Sequence, residues 1–427
     1  IKHGNLKNGY FNIIKYAQYY CERDVDVLYK GYNKFREWMF ELTDNRFDIY
    51  DMVSITQLAH NLFISDGCYD GVYQLGGVPR AFISECIVGG RCMTNRNKKQ
   101  YVKMIDDIDE ADPEGTIYCN HGISDFDGVS LYPSAMSRMK GFLKGVPKVI
   151  EGDMLTNHEI LTNQDGFFVE IRINAIDREL DFPLLSVKND EGVRIFTNKL
   201  VGKVVMVDKT TLLEAVKHHK IDYTVIKGYY YNEGHNPQIN TSIKKLFDAR
   251  LQKKKEKNPI QTAYKLIMNS SYGRTLLKPI DREIKIIRGR ENRINFQRRH
   301  FNNIISFNEI NWNVKRDFDY LTRFNLIKPI NEHFSIPHVG VEILSASKVI
   351  MSEVMITAQE LGFHLYYTDT DSIHINMEQI EPLAKEYKRK YNRELVGKYL
   401  GQFHTDFDLK GADESKCEVY SKQLIAL

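Results

Sequence analysis

The residues in this chain best suited to chemistry are two aspartates one residue apart. Asp369 and Asp371 interrupt an aromatic and β-branched run at 366–374 (YYTDTDSIH). That composition predicts strand, tight turn and strand, with the carboxylates at or beside the turn. Side chains two apart in extended chain point the same way, so both acids are expected to stand exposed at a hairpin end and to converge on one cation. Magnesium suits them, because it takes oxygen ligands and is typically held by one or two carboxylates plus substrate phosphates. A further acid is then required from elsewhere. Asp127 supplies it in SDFDGVSLYPSAM at 124–136. There a short strand-like ISDFD run is followed by Tyr132-Pro133-Ser134, where proline is expected to end the strand and Ser134 to open a helix. The third signal is QTAYKLIMNSSYGR at 261–274. Lys265, Asn269, Tyr272 and Gly273 fall at i, i+4, i+7 and i+8, one face of a helix. A lysine can meet a polyphosphate, an aromatic ring can stack on a base, and a glycine admits close approach.

DGVSLYPS from Asp127, KLIMNSSYG from Lys265 and YTDTDS from Tyr367 resemble the three polymerase motifs of family B DNA polymerases, in the family's order. The resemblance implies that Asp127 and Asp371 are direct ligands bridging two Mg²⁺ ions, helped by the Gly128 carbonyl, with Asp369 an accessory acid on the primer side. It implies that Lys265 binds the incoming triphosphate, joined by Arg250 about four turns earlier. Tyr132 is expected under the deoxyribose, where it would clash with a 2′-hydroxyl, and Asn269, Tyr272 and Gly273 along the nascent base pair. Ser372 is expected at the DNA. Asp125 has no counterpart in the motif and is expected to be solvated or locally bonded. Gly89, Gly90 and Arg91 in IVGGRCMTN resemble a Tyr-x-Gly-Gly element that touches the template strand, although Ile87 stands where a tyrosine is often found. A glycine pair in a strand also reads as a bulge or turn.

The elements that must position these groups set the remaining expectations. At 427 residues the chain exceeds the size at which single cores split, and 42% hydrophobic residues suffice for real cores. The fold class expected is α+β: a right-hand polymerase with an antiparallel-sheet palm, helical fingers, β-rich insertions and a partial exonuclease end. Residues 1–50 read as one or two long helices. In them Tyr20 and Asp24 share a face, and YCERD is similar to the last motif of the family's 3′–5′ exonuclease. The two earlier exonuclease motifs do not appear upstream and there is no initiator methionine, so the chain is expected to be a fragment without proofreading activity. Residues 51–137 are expected to hold a linker and the first part of the palm, with helices near 54–63 and 78–85 and a strand at IVGGRCMTN. The runs FFVEIRINAI, KVVMVDKTTLL and DYTVIKGYYYN in 138–238 read as strands of a palm extension. Fingers are expected at 239–276, a second insertion at 277–337 and the second part of the palm at 338–427, truncated before the thumb. Within that last stretch 341–361 reads as an amphipathic helix whose methionines fill core, 380–399 as a charged helix and 416–427 as a strand. The two insertions resemble those of the protein-primed branch, which hold a terminal protein and encircle DNA.

Net charge is +3, yet from Arg250 to His300 there are 15 Lys/Arg against 4 Asp/Glu, so that stretch carries +11 and the remainder −8. A lysine run such as 253–257 is either a solvated face or a track for nucleic acid or triphosphate. Six cysteines without CxxC pairing (Cys21, Cys68, Cys86, Cys92, Cys119, Cys417) read as reduced thiols rather than a zinc site. No apolar run approaches a membrane span and the first residues match neither a signal nor a transit peptide. An intracellular, reducing setting is expected, with the compartment itself open. The partners implied are template–primer DNA, dNTPs and a terminal protein acting as primer. A different palm polymerase, such as a reverse transcriptase, and a catalytically impaired DNA-binding remnant are the competing readings; Asp-Thr-Asp with KLIMNSSYG speaks against the first and intact motif acids against the second.

Overall fold

The computed structural model describes residues 6–7, 10–95, 123–278, 282–311, 313–327 and 336–405. In chain order the principal elements begin with α1 (Ile13–Leu42), α2 (Ile55–Ser65), α3 (Gly77–Glu85), β1 (Cys92–Thr94), β2 (Ile123–Gly128) and α4 (Leu131–Arg138). There follow β3 (Gly166–Ile176), β4 (Val204–Asp208), α5 (Lys209–His219), β5 (Ile221–Tyr231), α6 (Gln238–Lys255) and α7 (Gln261–Thr275). The last are β6 (Arg282–Arg288), α8 (Arg290–Arg299), β7 (Ile304–Asn311), β8 (Leu321–Ile327), α9 (Pro337–Glu360), β9 (Leu365–Asp369), β10 (Ser372–Asn376), α10 (Ile380–Tyr391) and β11 (Phe403–Thr405). They divide into two compact units, one of Ile1–Asp70 with Pro237–Arg274, the other of Gly71–Asn236 with Thr275–Leu427. Among the described residues no helix is long and apolar enough to cross a membrane.

The first unit is helical. The N-terminal expectation of one or two helices resolves into one, α1, capped by the Asn12 side chain accepting from the Lys15 amide at 3.0 Å. Only Met39 and Leu42, near its C-terminal end, are fully buried. The α2 helix opens on Ser54, whose hydroxyl accepts from the Gln57 amide at 3.3 Å. The α6 helix buries Ile239, Ser242, Ile243, Leu246 and Phe247, a stripe at helical spacing. The chain then turns through Lys257 in a left-handed conformation, the Asn258 side chain accepts from the Ile260 amide, and α7 begins. On α7 the buried positions are Ala263, Ile267, Met268, Ser271 and Thr275.

The second unit is built on a five-stranded antiparallel sheet of order β11-β2-β10-β9-β1. Alternation along these strands sends Phe126, Ile373, Ile375 and Phe403 into a core shared with α4, α9 and α10. At about 1.5–3 kcal/mol for each large apolar side chain removed from water, this cluster is what fixes the sheet's register. A separate sheet of order β4-β3-β5, edged by the short strand Lys148–Val149, packs Val169, Ile171 and Val225 against Leu212 and Ala215 of α5. A third sheet, β6-β8-β7, carries α8, with Phe324 at the centre of its apolar face 4.9 Å from Phe296 and 5.6 Å from Phe307.

Several boundaries differ from the sequence expectation. The strand at 123–128 ends at Gly128, α4 starts at Leu131, and Pro133 sits in its first turn, where a missing N–H costs nothing. Ser134 therefore lies inside the helix, its hydroxyl donating to the Val129 and Ser130 carbonyls. The KTTLL half of KVVMVDKTTLL is helix, because the Asp208 carboxylate caps the amides of Thr210 and Thr211. The glycine pair precedes β1 instead of lying within it. The helix expected over 341–361 begins at Pro337 and is buried nearly all round rather than amphipathic, since it packs between the five-stranded sheet and other elements of the same unit. The charged helix over 380–399 stops at Tyr391, where Asn392 adopts a left-handed conformation and closes it. Residues 416–427, with Cys417, and Cys119 lie outside the described residues.

Candidate active site

The acidic hairpin has the expected strand–turn–strand form, with a two-residue loop of Thr370 and Asp371 closed by the pairing of Asp369 with Ser372. The two acids are not, however, two apart in continuous extended chain. Thr370 between them has φ +52°, a conformation that a β-branched residue rarely adopts. Strand alternation therefore does not set their relative direction. Asp369 is exposed and Asp371 half-buried, so only the first stands fully open to solvent. The Asp369 carboxylate accepts from the Thr370 hydroxyl at 3.2 Å and from the Tyr367 phenol at 3.5 Å.

Pairing of β10 with β2 places Asp127 opposite Ser372, and the Gly128 amide donates to the Asp371 carbonyl at 2.8 Å. The sequence-distant acid and the hairpin turn thus meet at the end of neighbouring strands. A Cβ built on Gly128 would lie 3.2 Å from the Asp371 carbonyl oxygen, so a side chain there would crowd the junction. Tyr132 is half-buried in the first turn of α4, four residues beyond Gly128.

A second row lies one step further along the same sheet face. Asp125 pairs in register with His374 and His374 with Tyr367. His374 Nε2 is 3.6 Å from Asp125 Oδ1 and its ring is 5.1 Å from that of Tyr367. Burial lowers the His374 pKa from its ordinary value, with Asp125 opposing. The Cys92 sulfur, 3.3 Å from the Tyr367 hydroxyl, then burial and the Asp369 charge, raise the phenol's pKa. Asp125 is half-buried, and its Oδ1, the atom nearest His374, has no hydrogen-bond partner among the described residues. Sequence reasoning does not single out Tyr367, His374 and Cys92 for this row; the alternation of YYTDTDSIH points toward the first two, and Cys92 joins them only through strand pairing.

Arg91 corrects its sequence assignment. Its side chain is 3% exposed and donates to the carbonyls of Phe182 (3.3 Å) and Lys348 (3.1 Å) and to the Ser352 hydroxyl (2.6 Å). A guanidinium spent on internal acceptors is not available to a DNA strand, and burial draws its pKa down to about 10. Gly89 is exposed and Gly90 half-buried.

The remaining candidates belong to the helical unit. Lys265 is exposed on α7, on the side away from Ala263 and Ile267, while Asn269, Tyr272 and Gly273 are half-buried. Arg250 stands on α6, so it and Lys265 are on two helices rather than on turns of one. Burial lowers the Arg250 pKa, and its guanidinium lies 5.9 Å from the Phe247 ring centre. Tyr20 and Asp24 are exposed on α1.

Among the described residues no three His, Cys, Asp or Glu side chains gather closely enough to hold a metal ion. The carboxylates do not form a closed protein cage. A pair of aspartates on adjoining strand ends fits a magnesium ion that keeps water or phosphate oxygens in its shell, since such an ion needs one or two carboxylates from the protein.

Residues 1–361 match the family model of DNA polymerase type B, organellar and viral. The DNA polymerase of Acidianus bottle-shaped virus (isolate Italy/Pozzuoli) is 24% identical over 325 residues, which are 62% of this chain and 45% of that protein. Two structures of phi29 DNA polymerase share the fold. The orthorhombic crystal form aligns with a TM-score of 0.56 and the complex with primer-template DNA and incoming nucleotide substrates with 0.53, at 16% and 17% identity over 83% of this chain. The chain spans about half the length of these relatives, 45% of the viral protein and 53% of either phi29 chain. With a family match over more than four-fifths of its residues and the same fold, this chain belongs to the organellar and viral type B DNA polymerases.

Proposed function

We propose that this chain carries the polymerase centre of a template-directed DNA polymerase, which joins dNTPs to a primer 3′-hydroxyl by phosphoryl transfer. The observation that carries this reading is the strand register that sets Asp127 opposite Ser372 and beside the Asp371 turn, in a chain of this family. Two Mg²⁺ ions bound there would activate the attacking hydroxyl and stabilise the leaving pyrophosphate. Asp127 and Asp371 offer the carboxylate oxygens, with the Gly128 carbonyl as a neutral donor. The Gly128 amide, donating to the Asp371 carbonyl, ties the two segments together. Asp369 serves the primer side, its orientation held by the Thr370 and Tyr367 hydroxyls. Catalysis by this set is positioning and charge neutralisation, and the protein itself forms no covalent bond.

Lys265 and Arg250 bind the triphosphate, and Asn269, Tyr272 and Gly273 line the nascent base pair. Tyr132 packs under the sugar and rejects a 2′-hydroxyl. Gly89, Gly90 and Ser372 contact DNA. In this reading the five-stranded sheet with α4 and α9 is the palm, α6 and α7 are the fingers, and Tyr20 and Asp24 descend from an exonuclease motif. The β4-β3-β5 and β6-β8-β7 sheets fall in the two intervals where protein-primed relatives carry their insertions. That supports priming by a terminal protein and replication of a viral or mobile-element genome.

The test is Mg²⁺-dependent primer extension with dNTPs on a primed DNA template, beside Asp127→Ala. Extension by the parent chain that is abolished in the variant supports the reading. Equal extension by both would refute it. Binding of primed DNA without extension would favour a DNA-binding remnant.

A further inference from the structure

We propose that Gly90, Arg91 and Lys348 form a positioning clamp for the acidic turn, joining α9 to Thr370 and so setting where Asp369 and Asp371 present their carboxylates. This rests on the polymerase reading of those acids. The clamp has two ends. At the turn, the Thr370 amide donates to the Arg91 carbonyl at 2.8 Å. A Cβ built on Gly90 would lie 2.8 Å from Thr370 Cγ2, 2.9 Å from its α-carbon and 2.9 Å from its Oγ1. The α-carbon belongs to the backbone and cannot swing away, so only glycine lets the two segments approach this closely. At the other end, Arg91 is anchored to the Lys348 carbonyl and the Ser352 hydroxyl of α9 and to the Phe182 carbonyl. The Lys348 ammonium donates to the Val88 carbonyl at 2.5 Å. The Arg91 side chain and the Lys348 amine therefore tie the 88–91 segment to α9.

The clamp answers a specific need. Thr370 holds a positive φ, a strained conformation for a β-branched residue that persists only where the surroundings over-determine it. The strained residue is the one between the two acids. Its amide is bonded to the segment that α9 holds, so the direction of both carboxylates follows from that segment's place. Gly90, Arg91 and Lys348 act through Thr370 and are positioning residues.

The experiment uses the full chain with a dideoxy-terminated primer–template and a matching dNTP, titrated with Mn²⁺ and read by electron paramagnetic resonance, with thermal melting of each variant. Asp371→Asn is run in parallel. The expected result is that Gly90→Ala raises the half-saturating Mn²⁺ concentration at least tenfold, and that Gly90→Ala with Thr370→Gly recovers part of the loss. That second change removes two of the three close approaches, and the melting curves of the single and double variants separate recovered cation binding from recovered stability. Lys348→Met, which leaves the Gly90–Thr370 face untouched, is expected to raise the value about threefold, and it decides the matter if Gly90→Ala does not fold. Parent-like Mn²⁺ titration in folded Gly90→Ala and Lys348→Met, with Asp371→Asn impaired, overturns the clamp and leaves the acidic site standing. Parent-like titration in Asp371→Asn removes the site reading and the clamp with it.

Discussion

Asp371 and Asp127 reach each other through backbone before their side chains are considered, since the Gly128 amide and the Asp371 carbonyl are bonded across β2 and the turn. Substituting either acid removes one of few protein oxygens from the proposed cation site. Asp127→Ala and Asp371→Asn should each lower the primer-extension rate by several orders of magnitude with little change in melting temperature, and full activity in Asp371→Asn would end this assignment. Tyr132→Ala should leave dNTP incorporation largely intact while narrowing the preference for dNTPs over rNTPs, measured as a ratio of kcat/KM values. That Asp127 and the acidic turn belong together was legible in the sequence from residue type and local spacing, and strand register sets Asp127 opposite Ser372; the role proposed for Tyr132 comes from the family resemblance. The Asp125–His374–Tyr367 row was not legible, because it comes from cross-strand register between segments far apart in the chain. Arg91 departs from expectation for a related reason: the resemblance groups it with Gly89 and Gly90 at a template-strand contact, and only its burial shows otherwise.

At the scale of elements, α9 decides most. Its buried residues include Lys348, whose pKa is drawn down to about 7 by burial first, with Asp208 opposing and Arg91 and Arg194 adding to the fall. In the unfolded chain a lysine holds its proton up to about 10.4. A base with a depressed folded pKa contributes stability that is complete above the unfolded value and is lost as pH falls through the folded one. The melting temperature should therefore rise between about pH 7 and 10, and Lys348→Met should flatten that rise when the two are compared by calorimetry. Phe126, fully buried under the sheet and 5.2 Å from Phe403, gives a second check. Phe126→Ala should destabilise the chain by about 3–5 kcal/mol in denaturant unfolding. Sequence periodicity located α1, α2, α3 and α9 but misplaced the start of α4 and the strand-to-helix change at Asp208. Both errors involve caps, where one side chain's hydrogen bond or one residue's φ overrides propensity across several neighbours.

At the scale of the whole molecule, charge is distributed unevenly, with +11 over Arg250 to His300 against −8 elsewhere. If that stretch tracks phosphates, affinity for primed DNA should fall steeply with salt, and each phosphate-contacting lysine changed to alanine within 253–257 should reduce the log–log slope by about 1. A slope unchanged by such substitutions would make the run a solvated face.

The anchoring of the 88–91 segment also bears on the order of folding. The bonds from Arg91 to Lys348 and Ser352 join residues 257 and 261 apart in sequence, and the bond from Lys348 to Val88 spans 260. A two-residue hairpin closes locally within about 1–10 μs, whereas pairings of such separation carry a large loop-closure cost and form late. The acidic hairpin should therefore appear early in refolding, and the geometry of its turn should be completed only when these distant parts of the chain have met. Recovery of strong cation binding is expected to lag behind recovery of secondary structure, and on gradual unfolding the same property should be the first to go.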